Sequence, residues 1–467
     1  MSVQFKQRVP EPEAVPSIWL RGLDVAALAA LASAIVLTMA GGLRITLFDI
    51  RLSIFSPDRA LLCAAALIVV RHALRARPSL ASRVWDSAAM RSLRADLPLV
   101  ASIMLTTRAS AIAVGLLAVA TIGLGPEARY QAFSNPWLNL PARWDAQWYT
   151  EIAAFGYRWD GDYTRQQSVV FFPAFPALSR LAARLLGLST LHAAWVVAIV
   201  AFAGAVLLFV RLTRRRYGDD VAATAAWFLA VYPFAVYFSA PYSEALFLLA
   251  MCGAFLAAEG GKWQTVAAWG LLAGLTRPNG WLLAAPIALA SLRHAWPVDL
   301  RGWLVRISAV AAPVIGVLLF TFYLHLLFND GFAWLRGQAA WGRELRGLHL
   351  FALDRLTYIS SRGVSAYLAE QPIDALNTIA AVAALGLVVP IARRVGVEYG
   401  ALVAVLVLPP LLVGGSMSIG RMTSVLFPLF IWLALVVPAR HRLAVLVACA
   451  LLQGFCAALF FTWRPLF

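Results

Sequence analysis

Apolar residues run along this chain in unbroken blocks, and polar residues gather in the gaps between them. Blocks of roughly 18 residues or more can each cross a ~30 Å hydrocarbon layer as a helix. The pattern predicts spans near 25–43, 55–74, 104–124, 191–211, 221–240, 242–258, 263–276, 280–292, 303–328, 373–392, 397–414, 419–437 and 442–462. The second is the weakest, because Asp58, Arg59 and Arg71 crowd it. A β-barrel would show alternating segments of about 10 residues instead. The expected class is an all-α polytopic membrane protein with about 11–13 transmembrane helices. Neither an internal repeat nor a low-complexity linker is visible, so residues 1–467 read as one membrane domain.

Two stretches depart from simple spans. In "FFPAFPALSRLAARLLGL" (171–188), Arg180 and Arg184 are four apart, with Leu178, Leu181 and Leu185 on another face. That spacing predicts an amphipathic helix lying in the membrane interface. In "WGLLAGLTRPNGWLLAAPIALA" (269–290), Gly274, Pro278 and Gly280 interrupt an apolar run around Arg277. Non-helical backbone at membrane depth is tolerated where it lines a cavity.

Composition agrees with a membrane chain. It is 61% hydrophobic and 13% charged, with a mean hydropathy of +0.77; soluble domains carry about 25% charged residues. The net charge of +16 and pI near 10.4 change the picture only through their placement. Arg71, Arg75, Arg77, Arg83, Arg91 and Arg94 lie between the second and third spans, Arg211, Arg214, Arg215 and Arg216 after the fourth, Arg393 and Arg394 after the tenth, and Arg440 and Arg442 after the twelfth. All fall on one side if the N-terminus is cytoplasmic, as the positive-inside rule expects, so the charge reports topology and no nucleic-acid partner is expected. The segment 125–168 and a second loop, 329–371, then face the outside. Cys63, Cys252, Cys449 and Cys456 sit within apolar runs without metal-like spacing and read as core residues. The opening "MSVQFKQRVPEPEAVP" lacks the features of a cleavable signal peptide.

Four polar groups stand out, because ionisable residues in or beside a bilayer are costly. Arg143-Trp144-Asp145 precedes Tyr149 and Tyr157 in the first outer loop. A carboxylate wedged among aromatics suits general-base work; a structural ion pair of Asp145 with Arg143 or Arg158 is the competing reading. Tyr242-Ser243-Glu244 opens a helix, where Glu244 also fits a simple cap. Arg277 and Asn279 sit at the break in "LTRPNG", and Arg421 enters the twelfth span in "SIGRMTSVLFPLF". Each arginine suits bidentate phosphate binding or snorkelling to the interface. One carboxylate with several arginines fits an anionic lipid phosphate and a nucleophile that needs a base. No dinucleotide fingerprint, Walker A motif or HExxH is present.

Taken in order, "RWDAQWYTEIAAFGY…FFPAFP", "YPFAVYFSAPYSEALF", "LLAGLTRPNG" and "GRMTSVLFPLF" resemble the PIG-V family of membrane glycosyltransferases, within the GT-C superfamily, over residues 141–437. The resemblance implies a GT-C-like fold with a large catalytic loop, 125–190, on the extracytoplasmic face. It implies inverting mannose transfer from a polyprenyl-phosphate-mannose donor to a hydroxyl of a lipid, glycan or protein acceptor. Asp145 maps onto the family acid, and Tyr242, Ser243 and Glu244 onto its Tyr-Ser-Glu. Trp144, Trp148, Tyr149, Tyr157 and Phe172 would shape the sugar pocket, with Arg143, Arg277, Asn279 and Arg421 around the substrate. No cofactor is expected, since arginines can meet the charge of the leaving phosphate; a divalent cation stays open. The Arg- and Ala-rich, nearly Lys-free composition suggests a high-GC bacterium and a multi-pass inner-membrane location. Such bacteria make no GPI anchor, which leaves the acceptor open. Transfer of another polyprenyl-phosphate sugar, or a lipid flippase, are the alternative readings.

Overall fold

The computed structural model describes residues 43–47, 50–54, 57–73 and 88–466 apart from 129, 296–298 and 346, with scattered residues between 22 and 33. The N-terminal polar stretch and most of the expected span 25–43 lie outside the described residues. The chain divides into Met1–Asp96 and Leu97–Phe467. The first unit holds a two-stranded antiparallel hairpin, β1 (Leu43–Leu47) and β2 (Ile50–Ile54), paired Leu43 to Ile54. It also holds helix α1 (Pro57–Ala73), on the expected second span.

The second unit is helical. Its elements are α2 (Ala88–Ile103, which begins in the first unit), α3 (Ala109–Thr121), α4 (Ala146–Phe155), α5 (Ala174–Leu186), α6 (Thr190–Val231), α7 (Glu244–Glu259), α8 (Trp263–Thr276), α9 (Ala284–Ser291), α10 (Leu300–Phe328), α11 (Leu348–Arg362), α12 (Pro372–Gly386), α13 (Val388–Arg394), α14 (Val397–Gly414), α15 (Ile419–Thr423), α16 (Phe427–Val436) and α17 (Ala439–Phe461). Among the described residues, five helical stretches are long and apolar enough to cross a membrane: Arg94–Thr121, Thr190–Val231, Leu300–Phe328, Pro372–Arg394 and Ala439–Phe461. A sixth forms if the 3₁₀ turn Pro233–Ser239 and α7, bent by 101°, are counted as one broken span.

The sequence pattern predicts more full-length spans than these. One expected span, 25–43, lies mostly outside the described residues, and Gly and Pro shorten or merge several of the others. α8 stops at Thr276 because Pro278 follows Arg277, whose extended backbone (φ −148°, ψ 151°) is what a residue before proline prefers. α16 begins only at Phe427-Pro428. The two expected spans 191–211 and 221–240 appear as α6, a single helical stretch broken at Gly218 (φ 79°), a conformation that favours glycine.

Small residues set the closest helix approach. A Cβ on Gly274 of α8 would lie 2.1 Å from the Pro313 carbonyl oxygen of α10, and one on Gly316 would lie 2.6 Å from the Leu271 carbonyl. Only glycine permits this backbone contact, a device common between membrane helices. It anchors α8 just before the Arg277 break. α5 follows "FFP" as the pattern predicts, and its Arg180 donates to the Ala153 carbonyl at the end of α4 (2.6 Å). Thus α5 closes the C-terminus of the helix that Asp145 begins.

Candidate active site

Asp145 precedes the first turn of α4. The preceding Trp144 takes a left-handed backbone (φ 50°) and packs on Trp463 at 5.0 Å. A positive φ is uncommon for a bulky residue, so tertiary packing holds this turn. The Tyr242 hydroxyl clamps it from both sides, accepting from the Asp145 N–H (3.0 Å) and donating to the Arg143 carbonyl (3.1 Å). Arg143 is 2% exposed. It donates to the carbonyls of Phe461 (2.6 Å) and Ala142 (3.0 Å), tying the loop to the end of α17. Burial pulls its pKa down to about 10.

The Asp145 carboxylate pairs with Arg421 of α15 at 2.5 Å, not with Arg143 or Arg158. Arg421 also donates from Nε to Glu244 of α7, and its guanidinium lies 4.4 Å over the Tyr242 ring. Glu244 is fully buried and also accepts from Arg277 at 2.5 Å. The sequence Asp145–Arg421–Glu244–Arg277 is therefore an alternating chain of charges drawn from four separate elements. Uncompensated buried charge is costly, and the shared arginine satisfies both carboxylates.

This chain borders a small cavity of ≈ 70 Å³, lined by Asp145, Tyr149, Phe171, Phe172, Arg277, Arg421 and Ser243 among others. Its remaining wall comes from the segment after α10, through Gln338, Trp341 and Arg343. The Arg343 guanidinium has no hydrogen-bond or ion-pair partner among the described residues. Burial, then the like charges of Arg421 and Arg277, pull its pKa down to about 10, so it is a cation at neutral pH. Three guanidinium groups thus face two carboxylates, a surplus of one positive charge.

A family model for mannosyltransferase (PIG-V) matches residues 91–330, just over half of the 467-residue chain. The chain belongs to that family. The PIG-V match runs from within α2 through α10, with Asp145, Glu244 and Arg277 inside the matched region. Comparison with curated proteins gives no match. Two solved structures are similar in part. One is an Archaeoglobus fulgidus oligosaccharyltransferase in complex with Zn and sulfate, with 14% identity, 77% of this chain, 53% of that one and a TM-score of 0.39. The other is ArnT from Cupriavidus metallidurans bound to undecaprenyl phosphate, with 12% identity, 77% of this chain, 75% of that one and a TM-score of 0.42. The chain spans about half the length of the Archaeoglobus protein.

The PIG-V-like motifs identified in the sequence divide into two groups in space. Asp145, Tyr149, Phe172, Arg277 and Arg421 reach the cavity, and Tyr149 donates to or accepts from Ser243 at 2.8 Å. Tyr242 and Glu244 stand directly behind it. Arg143 and Trp144 do not line it; they hold the Asp145 turn in place. Tyr157 also stands apart, donating to the Phe171 carbonyl at 2.7 Å and packing on Phe320. Asn279 lies in the turn after Arg277 with its Oδ1 buried and unpartnered among the described residues. Glu151, Asp160 and Asp162 are elsewhere: Glu151 accepts from Gln147, and Asp160 pairs with Arg165 at an exposed site.

Sequence reading left two arginines unassigned. Arg343 stood among several arginines of the second loop with nothing to single it out. Arg108 lies inside an apolar run, which by itself marks it as costly. It is 3% exposed and donates to Ser239 (3.1 Å) and to the carbonyls of Ala235 and Ala230 (2.6 Å for the latter). It thereby pins the 3₁₀ turn that leads into Tyr242 and Glu244.

Proposed function

We propose that the cavity transfers mannose, with inversion, from a polyprenyl-phosphate-mannose donor to an acceptor hydroxyl. The observation that carries this reading is the cation surplus beside Asp145. The donor is a phosphodiester with one negative charge, and the surplus is also one. The departing lipid phosphate gains negative charge as the C1–O bond breaks, and fixed guanidinium groups stabilise charge that develops there. Arg343, which has no ion-pair partner to give up among the described residues, is the first to meet the phosphate, with Arg277 and Arg421 behind it.

The acceptor O–H attacks C1 of the sugar from the face opposite the phosphate, which inverts that carbon. A new C1–O bond forms, the bond to phosphate oxygen breaks, and the acceptor proton passes to the Asp145 carboxylate. An ion pair with Arg421 requires the carboxylate form, which is the form able to take a proton. The tyrosine clamp on the Asp145 turn fixes the direction of the carboxylate. Phe171, Phe172 and Trp341 give the sugar an apolar wall.

The site faces the extracytoplasmic side in this reading. Glu244 opens the 16-residue helix α7 at the cavity, and Glu259 closes it about 22 Å along the axis. At that far end Glu259 meets Arg216, and nearby Arg442 meets Asp220. Arginine clusters mark the cytoplasmic ends of spans, so the cavity lies at the other ends. In a bacterium this is the outer face of the inner membrane.

The test is transfer by the purified full-length protein from polyprenyl-phosphate-mannose to a detergent-solubilised membrane extract, with the anomeric configuration of the product read by NMR. Transfer with inversion is expected. Retention of configuration overturns the single-displacement mechanism, and preference for a polyprenyl-phosphate arabinose or glucose donor overturns the choice of sugar. No transfer, together with lipid scrambling in liposomes, replaces the enzyme reading with a flippase.

A further inference from the structure

A cavity of ≈ 70 Å³ is small for chemistry that joins two substrates; ligand pockets run about 300–1,000 Å³. A second cavity of ≈ 310 Å³ is lined by the residues just before Ser418. Ser416 and Met417 line the second cavity and Ser418 lines the first, so one turn separates them. Gly415 (φ 62°) and Ser418 (φ 60°) both hold that turn in the left-handed region. Asn377, in the wall of the second cavity, accepts from the Gly420 N–H at 2.8 Å, one residue before Arg421.

The second cavity has its own polar network. Arg355 of α11 donates to Asp374 of α12 at 2.5 Å and to Thr378 at 2.9 Å. The Tyr367 hydroxyl donates to the other Asp374 oxygen at 2.6 Å, and Ser416 donates to Asp374 as well. Asp374 and Arg355 are therefore satisfied and rigid. Asp354 also lines the cavity and has no partner among the described residues. Asp354 and Asp374 against Arg355 leave one surplus negative charge, the reverse of the first cavity. A phosphate is attracted to the first and repelled from the second.

We infer that the second cavity, between α11, α12 and the 415–418 turn, seats the acceptor through a neutral, hydroxyl-rich headgroup, with Asp354 accepting hydrogen bonds from its hydroxyls. The inference rests on the mannosyl-transfer reading. Asp354 and Gln371 offer a carboxylate and an amide of the kind that bind polyols, while Leu350 and Phe351 supply an apolar flank for a sugar face or lipid tail. The opposite charges of the two cavities sort the substrates. The donor phosphate goes to the arginines, the acceptor hydroxyls go to Asp354, and the turn before Arg421 brings them together.

The probe is octyl α-mannoside, with octyl phosphate as its anionic counterpart, each titrated by saturation-transfer NMR against the purified full-length protein in detergent. Asp354 is exposed and makes no protein contact that its loss could unfold. Asp354→Ala is expected to weaken octyl α-mannoside binding about tenfold, the size of one hydrogen bond to a charged group, with Asp354→Asn intermediate. Octyl phosphate binding should not weaken in either variant. In transfer from polyprenyl-phosphate-mannose to octyl α-mannoside, Asp354→Ala should raise the acceptor KM about tenfold and leave the donor KM within about twofold. Mannoside affinity indifferent to Asp354, or dependent instead on Glu151 and Gln166, which line a separate cavity of ≈ 180 Å³ with Trp148, overturns the inference while leaving transfer intact. Asp354-dependent binding in a protein that transfers no mannose overturns the transferase reading and with it the acceptor role, leaving a sugar site.

Discussion

Asp145 meets Arg421 across 276 positions of sequence, and Arg421 meets Glu244 across another 177. Each of these residues is ordinary on its own; together they decide what each substitution reports. Asp145→Asn keeps the size and much of the hydrogen bonding of the side chain. Transfer is expected to fall about 10²–10⁴-fold with the thermal transition little changed, the usual size of a general-base contribution. Near-normal turnover would remove Asp145 from the chemistry. Arg277→Ala is a less direct test of phosphate binding, because it leaves Glu244 buried with one partner; breaking such a pair costs about 3–5 kcal/mol. Its main expected effect is a lowered Tm. Arg343→Ala separates the two effects. Arg343 has no ion-pair partner among the described residues and sits beside two like charges, so its loss should not lower Tm, yet the donor KM should rise roughly tenfold or more, the worth of a charged hydrogen bond. A fall in Tm without a change in donor KM would make Arg343 a structural residue.

At the scale of elements, the cavity depends on helices that stop where they do. α8 must end at Thr276 so that Arg277 can turn toward Glu244, and the close packing of α8 on α10 fixes where that end lies. Gly274→Ala places a methyl against the Pro313 backbone, which cannot swing aside as a side chain would. The expected result is a lowered Tm together with lost transfer, and circular dichroism should still show a helical protein. Gly386→Ala, where an added methyl meets nothing within 4 Å, is the control. Equal behaviour of the two variants would show that the α8–α10 contact does not set the site. Arg108 plays a matching part, since from within the membrane-spanning stretch it holds the turn before Tyr242 with two hydrogen bonds and the end of α6 with a third.

At the scale of the whole molecule, the site gathers residues from the α4, α7, α8, α15 and 329–347 segments at one end of the helices. In the proposed reaction, the cationic partners of the donor phosphate come from the chain itself. Turnover is therefore expected to survive EDTA, measured as mannose transfer before and after dialysis against chelator. Loss of activity with rescue by Mg²⁺ or Mn²⁺ would mean that a cation competes with Arg421 for Asp145 or Glu244.

The sequence by itself determined the membrane class, the helical architecture and the family, because spans of apolar residues and motifs such as "RWD", "YSE" and "TRPNG" are local. It also singled out Asp145, Glu244, Arg277 and Arg421, since a charge near a bilayer is conspicuous wherever the chain places it. Pairing was not legible. Arg143 adjoins Asp145 in sequence yet points to α17, and Arg421, far along the chain, takes the carboxylate instead. The length of the spans was misread for a related reason: hydropathy registers apolar residues through a proline or glycine break, whereas backbone hydrogen bonding stops there. Arg343 became distinctive only in three dimensions, where packing placed it beside two other guanidinium groups and left it without an ion-pair partner among the described residues. Burial and charge balance are sums over neighbours, and the neighbours here are set by tertiary packing.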